Sequence, residues 1–285
     1  MEEEKKDTGS SAGEIKEEVR KHYGGAITGK KGTSCCSPGP QERIISLAEL
    51  AGYGDKERSQ VPEEAYNSSF GCGNPLMFTD VKPGDVVLDL GSGAGLDVLL
   101  ASKKVGPTGK VIGLDMTPEM IEKATENASK AGAENVEFKY GEMEDMPVED
   151  GSVDWIISNC VINLSPDKKK VFQEAFRVLK PGGKIVVSDI VAEGIPEDLR
   201  DLLWASCVGG AVDEATYLTM IRDAGFEDVH ILGRLDYDRE MISGLLGSGC
   251  LDLPKEVRRV IDERGENWNT KISSLKVSAR KKITS

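Results

Sequence analysis

The sequence is short of several residue types, and each shortage narrows what the protein can do. Only two histidines, His22 and His230, occur in 285 residues, so chemistry that depends on an imidazole base has few candidates. The six cysteines show no paired C-x2-4-C spacing, and Cys35 and Cys36 are contiguous, so a structural zinc site is not expected. No apolar run approaches the ~20 residues that cross a bilayer. The opening MEEEKKDTGSSAGE is polar and acidic, where a signal peptide is basic and then apolar. Positive charge is also scarce: 36 Lys and Arg stand against 49 Asp and Glu, a net charge of -13, which repels a phosphate backbone or an anionic membrane surface. Neither nucleic acid nor a membrane is therefore an expected partner. The expectation is a cytoplasmic protein whose cysteines remain thiols.

The length suits one or two domains with a core that needs no disulfide staples. Residues 1–12 are charged and rich in Ser and Gly, and read as a disordered tail. Residues 13–75 read as an N-terminal extension. In it, Ile15, Val19 and Tyr23 share one face of a helix over 14–23, GGAITGKKGTSCCSPGP forms a loop holding Cys35 and Cys36, and short helices follow over 41–52 and 62–69. From Lys82 the pattern alternates short apolar runs with helical stretches. This predicts an α/β Rossmann-like, doubly wound, mainly parallel sheet of seven strands with the last one antiparallel. Strands are expected over 85–91, 110–116, 136–142, 153–161, 183–191, 229–233 and 272–283. Helices are expected over 95–105, 118–131, 167–180 and 197–225, with Pro181-Gly182-Gly183 ending the third of these. The core domain spans 76–235, and 236–285 supplies a late, mostly helical insertion and the final strand.

The first expected strand ends in Asp89-Leu90-Gly91-Ser92-Gly93-Ala94-Gly95 and enters a helix, where bare glycine backbone lets a ligand come close. The dinucleotide fingerprint wants Gly or Ala where Leu96 stands, which weakens a nicotinamide reading. Asp89 beside the loop repels a pyrophosphate and attracts an amino group, so the implied ligand is a zwitterion. Asp115 closes the second strand, with Met116 next, at the place where a carboxylate accepts ribose hydroxyls. In this order the motifs resemble the class I S-adenosylmethionine-dependent methyltransferases over about 83–235. The resemblance implies S-adenosylmethionine as cofactor. Asp89 and the backbone of Gly91, Gly93 and Gly95 would hold the methionine moiety, Asp115 and Met116 the ribose region, and the turn Gly141-Glu142-Met143-Glu144 the adenine. Asn159 would lie near the sulfonium.

Cys160 stands at the carboxyl end of the fourth strand, the edge where open α/β sheets bind ligands. Cys72 lies between two glycines in GCGNP, and Cys207 between two helical stretches in SCVGGA. Singly, each reads as a small buried hydrophobe. Together GCGNP, SNCVINL and CVGGA resemble the arsenite methyltransferases, and the loop with Cys35 and Cys36 resembles their N-terminal cysteine region, over about 18–283. That resemblance implies trivalent arsenic, as substrate, on Cys72, Cys160 and Cys207. It also implies a redox relay through Cys35 or Cys36 and a thiol reductant such as thioredoxin or a small thiol. Thiolate-bound arsenic(III) is thiophilic, keeps a lone pair and needs no base, which suits a chain poor in histidine. The sequence stops soon after its last strand, so the further carboxyl-terminal domain of some members is not expected. Cys250 matches no motif, and Glu142, Glu144 and Glu193 also read as solubilising loop residues. A quinone- or sterol-like acceptor and a non-catalytic metalloid-binding protein are the alternatives.

Overall fold

Apolar residues at every second position of the central strands decide the layering, because successive side chains of a strand point to opposite faces. A computed structural model of the chain describes residues 11–28, 47–69, 71–200, 203–204, 207–237 and 270–283. The sheet has seven strands in the order β3-β2-β1-β4-β5-β7-β6. They are β1 (Val86–Leu90), β2 (Lys110–Asp115), β3 (Val136–Tyr140), β4 (Val153–Asn159), β5 (Leu179–Glu193), β6 (Phe226–Tyr237) and β7 (Lys271–Lys281). The first five pair in parallel. β7 runs antiparallel between β5 and β6. On one face Leu88, Leu90, Ile112, Leu114, Ile156 and Val187 pack against helices α7 (Lys168–Val178) and α9 (Glu214–Asp223). On the other, Val87, Val111, Trp155 and Ile157 pack against α5 (Leu96–Val105). Both faces are covered, as a parallel sheet requires. α6 (Pro118–Ala131) joins β2 to β3.

Several boundaries differ from the pattern in the sequence. Helix α1 (Ala12–Thr28) continues through Gly24-Gly25, where a loop is expected. A Cβ at Gly24 would meet the flexible tip of the Glu119 side chain on α6 at 3.0 Å, and the helix runs on through both glycines. The helix expected over 41–52 is described only as α2 (Leu47–Leu50), followed by a turn. Short α3 (Asp55–Arg58) and a 3-10 turn at Pro75–Phe78 carry too little periodicity to be read from sequence. The 62–69 helix is α4 (Glu63–Asn67). α7 ends at Val178, and Pro181-Gly182-Gly183 lies within β5, where the register against β4 shifts. β3 stops at Tyr140 and β4 at Asn159, so Glu142 and Cys160 both lie beyond their strands. The expected helix over 197–225 is interrupted: α8 (Glu197–Arg200) and α9 are separated by a turn around Cys207. There a Cβ on Gly209 would stand 2.1 Å from the Arg200 carbonyl oxygen, and one on Gly210 2.0 Å from that of Asn163. β6 extends to Tyr237, across the expected boundary at 235/236. The rest of the insertion, with Cys250, and the loop with Cys35 and Cys36 lie outside the described residues.

Strand order reverses between β1 and β4. The segments leaving their carboxyl ends diverge there and open a crevice, the usual ligand position in such sheets. No helix among the described residues is long and apolar enough to cross a membrane.

Candidate active site

A cavity of about 970 Å³, counted to its open mouth, fills that crevice. Its floor is the loop after β1, which turns through three left-handed glycines: Gly91 at φ +66°, Gly93 at +51° and Gly95 at +91°. They serve different ends. A Cβ on Gly91 would stand 2.3 Å from Val161, whereas one on Gly93 would meet nothing within 4 Å, and both glycines line the cavity. Gly95 caps α5 and packs toward Phe138 and Ala124, away from the lining. Asp115, at the end of β2, fixes the loop by accepting hydrogen bonds from Gly93 N (2.9 Å) and Thr117 N (2.8 Å).

Three aspartates, Asp89, Asp97 and Asp115, face this one cavity. Burial, then Asp97 and Asp115, push the Asp89 carboxyl well above the usual carboxylate range. Burial lifts Asp97 to about 6, against hydrogen bonds from Tyr53 and Asn159. Burial also raises Asp115, opposed by the backbone N–H groups of Thr117 and Gly93. Acids gathered around one cavity create a strong site for a cation. Ser92 Oγ is buried and has no hydrogen-bond partner, and its residue lines the same cavity. A zwitterion with an ammonium for the acids and a polar group for Ser92 fits this cradle.

The mouth is covered by α1, whose Lys16, Val19 and Tyr23 line the cavity. Lys16 Nζ pairs with Glu142 (2.6 Å) and Glu144 (3.1 Å), Arg20 pairs with Glu142 (2.7 Å), and Arg20 Nε donates to the Met116 carbonyl. Lys16 holds the Glu142 carboxyl below its ordinary range. Glu142 is thus committed to α1 and does not line the cavity, whereas Met116, Met143, Glu144 and Asn159 do. The sequence reading missed Lys16, Tyr53 and Asp97. For Asp97 a signal existed, since an acid in the first turn of the otherwise apolar LDVLLAS is out of place in a buried helix.

The three cysteines converge from separate segments around Cys160, which itself lines the cavity. Cys160 and Cys207 are buried, Cys72 is partly so, and all three are free thiols. Cys160 (φ +61°) and Cys207 (φ +64°) hold left-handed backbone, which costs a non-glycine residue about 1–2 kcal/mol. Such strain persists only where the surroundings over-determine it. The Cys160 thiol interacts with both other thiols, and these contacts, with Cys207 first and Cys72 second, push it well above the usual thiol range together with burial. Cys207 Sγ donates to the Cys160 carbonyl at 2.8 Å and lies 3.8 Å from the Tyr23 hydroxyl. Cys72 Sγ lies 3.6 Å from the Ser188 carbonyl. Among the described residues no three Cys, His, Asp or Glu side chains are grouped tightly enough to hold a metal ion as they stand. Neither histidine lines the cavity.

Residues 81–225 match the model of a methyltransferase domain family. A curated arsenite methyltransferase of Halobacterium salinarum is 44% identical over 245 residues, covering 81% of this chain and 61% of that protein. Its human counterpart is 35% identical over 226 residues, covering 75% of this chain and 58% of that protein. The chain thus spans about three fifths of the length of these curated relatives. Among solved structures, an arsenic(III) S-adenosylmethionine methyltransferase from Chlamydomonas reinhardtii superimposes with a TM-score of 0.61 at 32% identity, covering 86% of this chain and 75% of that one.

Proposed function

The chain belongs to the methyltransferase-domain family and, within it, to the arsenite methyltransferases, and from that premise we propose that it transfers a methyl group from S-adenosylmethionine to thiol-bound trivalent arsenic. The observation that carries this reading is the meeting of Cys72, Cys160 and Cys207 beside the acid-lined cavity, two of them on strained backbone. When bound, S-adenosylmethionine supplies an electrophilic methyl group on a sulfonium. The chain's residues supply alignment. Asp89 and Asp97 attract the ammonium, the open backbone at Gly93 admits the ligand, Asp115 takes ribose hydroxyls, Met143 borders the adenine end, and α1 excludes water.

Arsenic(III) is the substrate of the thiols. The sulfurs are not grouped for an ion as they stand, so capture brings them closer together. Bound by three sulfurs, arsenic retains a lone pair, and that pair forms the new As–C bond as the methyl's C–S bond breaks and leaves a neutral thioether. No proton moves in this step, so no base is required. Arsenic is formally oxidised by two electrons. They return when two thiols pair as a disulfide, and by the family resemblance Cys35 or Cys36 pairs with Cys72 in a relay served by thioredoxin or a small thiol. The setting is the reducing cytoplasm, with neither nucleic acid nor membrane as partner.

The test is release of S-adenosylhomocysteine from purified protein given S-adenosylmethionine and a thiol reductant, with and without arsenite, beside Cys72→Ser, Cys160→Ser and Cys207→Ser. Arsenite-dependent release lost in all three variants is expected. Release that ignores arsenite, or survives in Cys160→Ser at the wild-type rate, would overturn the reading.

A further inference from the structure

We infer that Asn159 is the positioning residue for the Cys72 thiol, holding the loop 71–73 on the floor of the donor cavity through a strut made with Tyr53 and Asp97. The inference rests on the reading of Cys72 as an arsenic ligand and adds to it what sets the position of that ligand.

Asn159 ends β4, one residue before Cys160. Its Oδ1 accepts from Cys72 N (3.0 Å) and Gly73 N (3.1 Å), which uses both lone pairs. Its Nδ2 donates to the Gly73 carbonyl and to the Tyr53 hydroxyl (3.0 Å). The amide can be seated only one way round, because the reverse would set an NH2 against two backbone N–H groups. With these atoms committed, the side chain has no polar capacity left for a donor ligand, although it borders the cavity. The loop lies flat on it: a Cβ on Gly71 would stand 2.1 Å from Asn159 Nδ2, and one on Gly73 2.0 Å from Ser188 Oγ. Ser274 Oγ on β7 donates to the Cys72 carbonyl (3.1 Å) and ties the loop at its other side.

Behind the amide stands a fully buried brace. The Tyr53 hydroxyl donates to the carboxylate of Asp97, at 2.7 and 2.8 Å from its two oxygens, while accepting from Asn159. Tyr66 donates to the Tyr53 carbonyl at 2.7 Å and fixes that residue in turn. Asp97 itself lines the donor cavity, so one chain of hydrogen bonds runs from the donor cavity to the backbone of Cys72. Cys160 follows Asn159 directly in the chain, so two of the three thiols are referred to one residue.

The experiment compares wild type, Asn159→Ala and the near-isosteric Tyr53→Phe by three readouts: S-adenosylhomocysteine affinity by calorimetry, arsenite affinity by titration, and the alkylation rate of Cys72 by iodoacetamide with peptide mapping. In Asn159→Ala, arsenite affinity is expected to fall about tenfold or more, a larger factor than any fall in S-adenosylhomocysteine affinity, because most of the lost hydrogen bonds belong to the loop. Cys72 alkylation is expected to accelerate in Asn159→Ala and, by less, in Tyr53→Phe, which keeps the ring and its packing. Weakened S-adenosylhomocysteine binding with unchanged arsenite affinity and Cys72 alkylation would make Asn159 a donor ligand and overturn the inference. Unchanged Cys72 alkylation in Tyr53→Phe would overturn the strut. Arsenite binding that survives Cys72→Ser would overturn the ligand reading alone, since the alkylation rates decide the positioning without arsenic.

Discussion

Alanine substitutions at Gly91 and Gly93 separate ligand access from packing within one loop. Both residues are left-handed, so either alanine costs about 1–2 kcal/mol of backbone strain. At Gly93 nothing else is met within 4 Å, and the loss of stability should stop there. At Gly91 the methyl would fall 2.3 Å from Val161, adding an overpacking cost of about 1–3 kcal/mol, for about 2–5 kcal/mol in all. Both glycines line the cavity, so ligand binding tests them separately from stability. The Gly93 methyl projects into the space where backbone meets ligand, and S-adenosylhomocysteine affinity should fall about tenfold or more, a loss of at least ~1.4 kcal/mol. Urea unfolding measures the first quantity and calorimetry the second. Equal stability of the two variants, or undiminished affinity in Gly93→Ala, would refute the division of labour.

Two further outcomes follow from the acids and from α1. Asp97 must be ionised to hold a cation and sits at about 6, so S-adenosylhomocysteine affinity should weaken toward tenfold per pH unit below that value, and Asp97→Asn should flatten the profile. Because its folded value is raised, Asp97 contributes stability to the ligand-free protein that is fully present below the unfolded carboxylate value and lost as pH rises through about 6. Urea unfolding of wild type and Asp97→Asn should therefore converge at low pH, once their offset is removed, and diverge toward neutrality; parallel profiles would contradict this. Lys16→Gln removes two ion pairs that hold α1 over the cavity, and S-adenosylhomocysteine should dissociate about two- to fivefold faster by stopped flow, the scale of partly exposed pairs; an unchanged rate would deny α1 its covering role.

Much of the fold was legible because its signals are local. Alternation along 86–90, 110–115 and 153–159 sets which face each residue serves, and the glycine loop with Asp89 is contiguous in the chain. What the sequence hid is spatial. Nothing in it pairs Tyr53 with Asp97, brings α1 over Met116, or sets the Asn159 amide against the backbone of residues 72 and 73. The turn at Cys207, between two helical stretches in the sequence, is made by one left-handed residue and two tightly packed glycines. Gly24-Gly25 look in sequence like turn residues, yet α1 runs through them. Cys72, Cys160 and Cys207 were readable as a set only through family motifs, because no periodicity links residues so far apart.

The most direct test of the central claim is the sulfur coordination of arsenic on the protein, read by X-ray absorption at the arsenic edge. The account predicts arsenite bound to the wild-type chain with three sulfur neighbours, and one fewer in each of Cys72→Ser, Cys160→Ser and Cys207→Ser. An oxygen-dominated shell, or three sulfurs still present in Cys160→Ser, would contradict it.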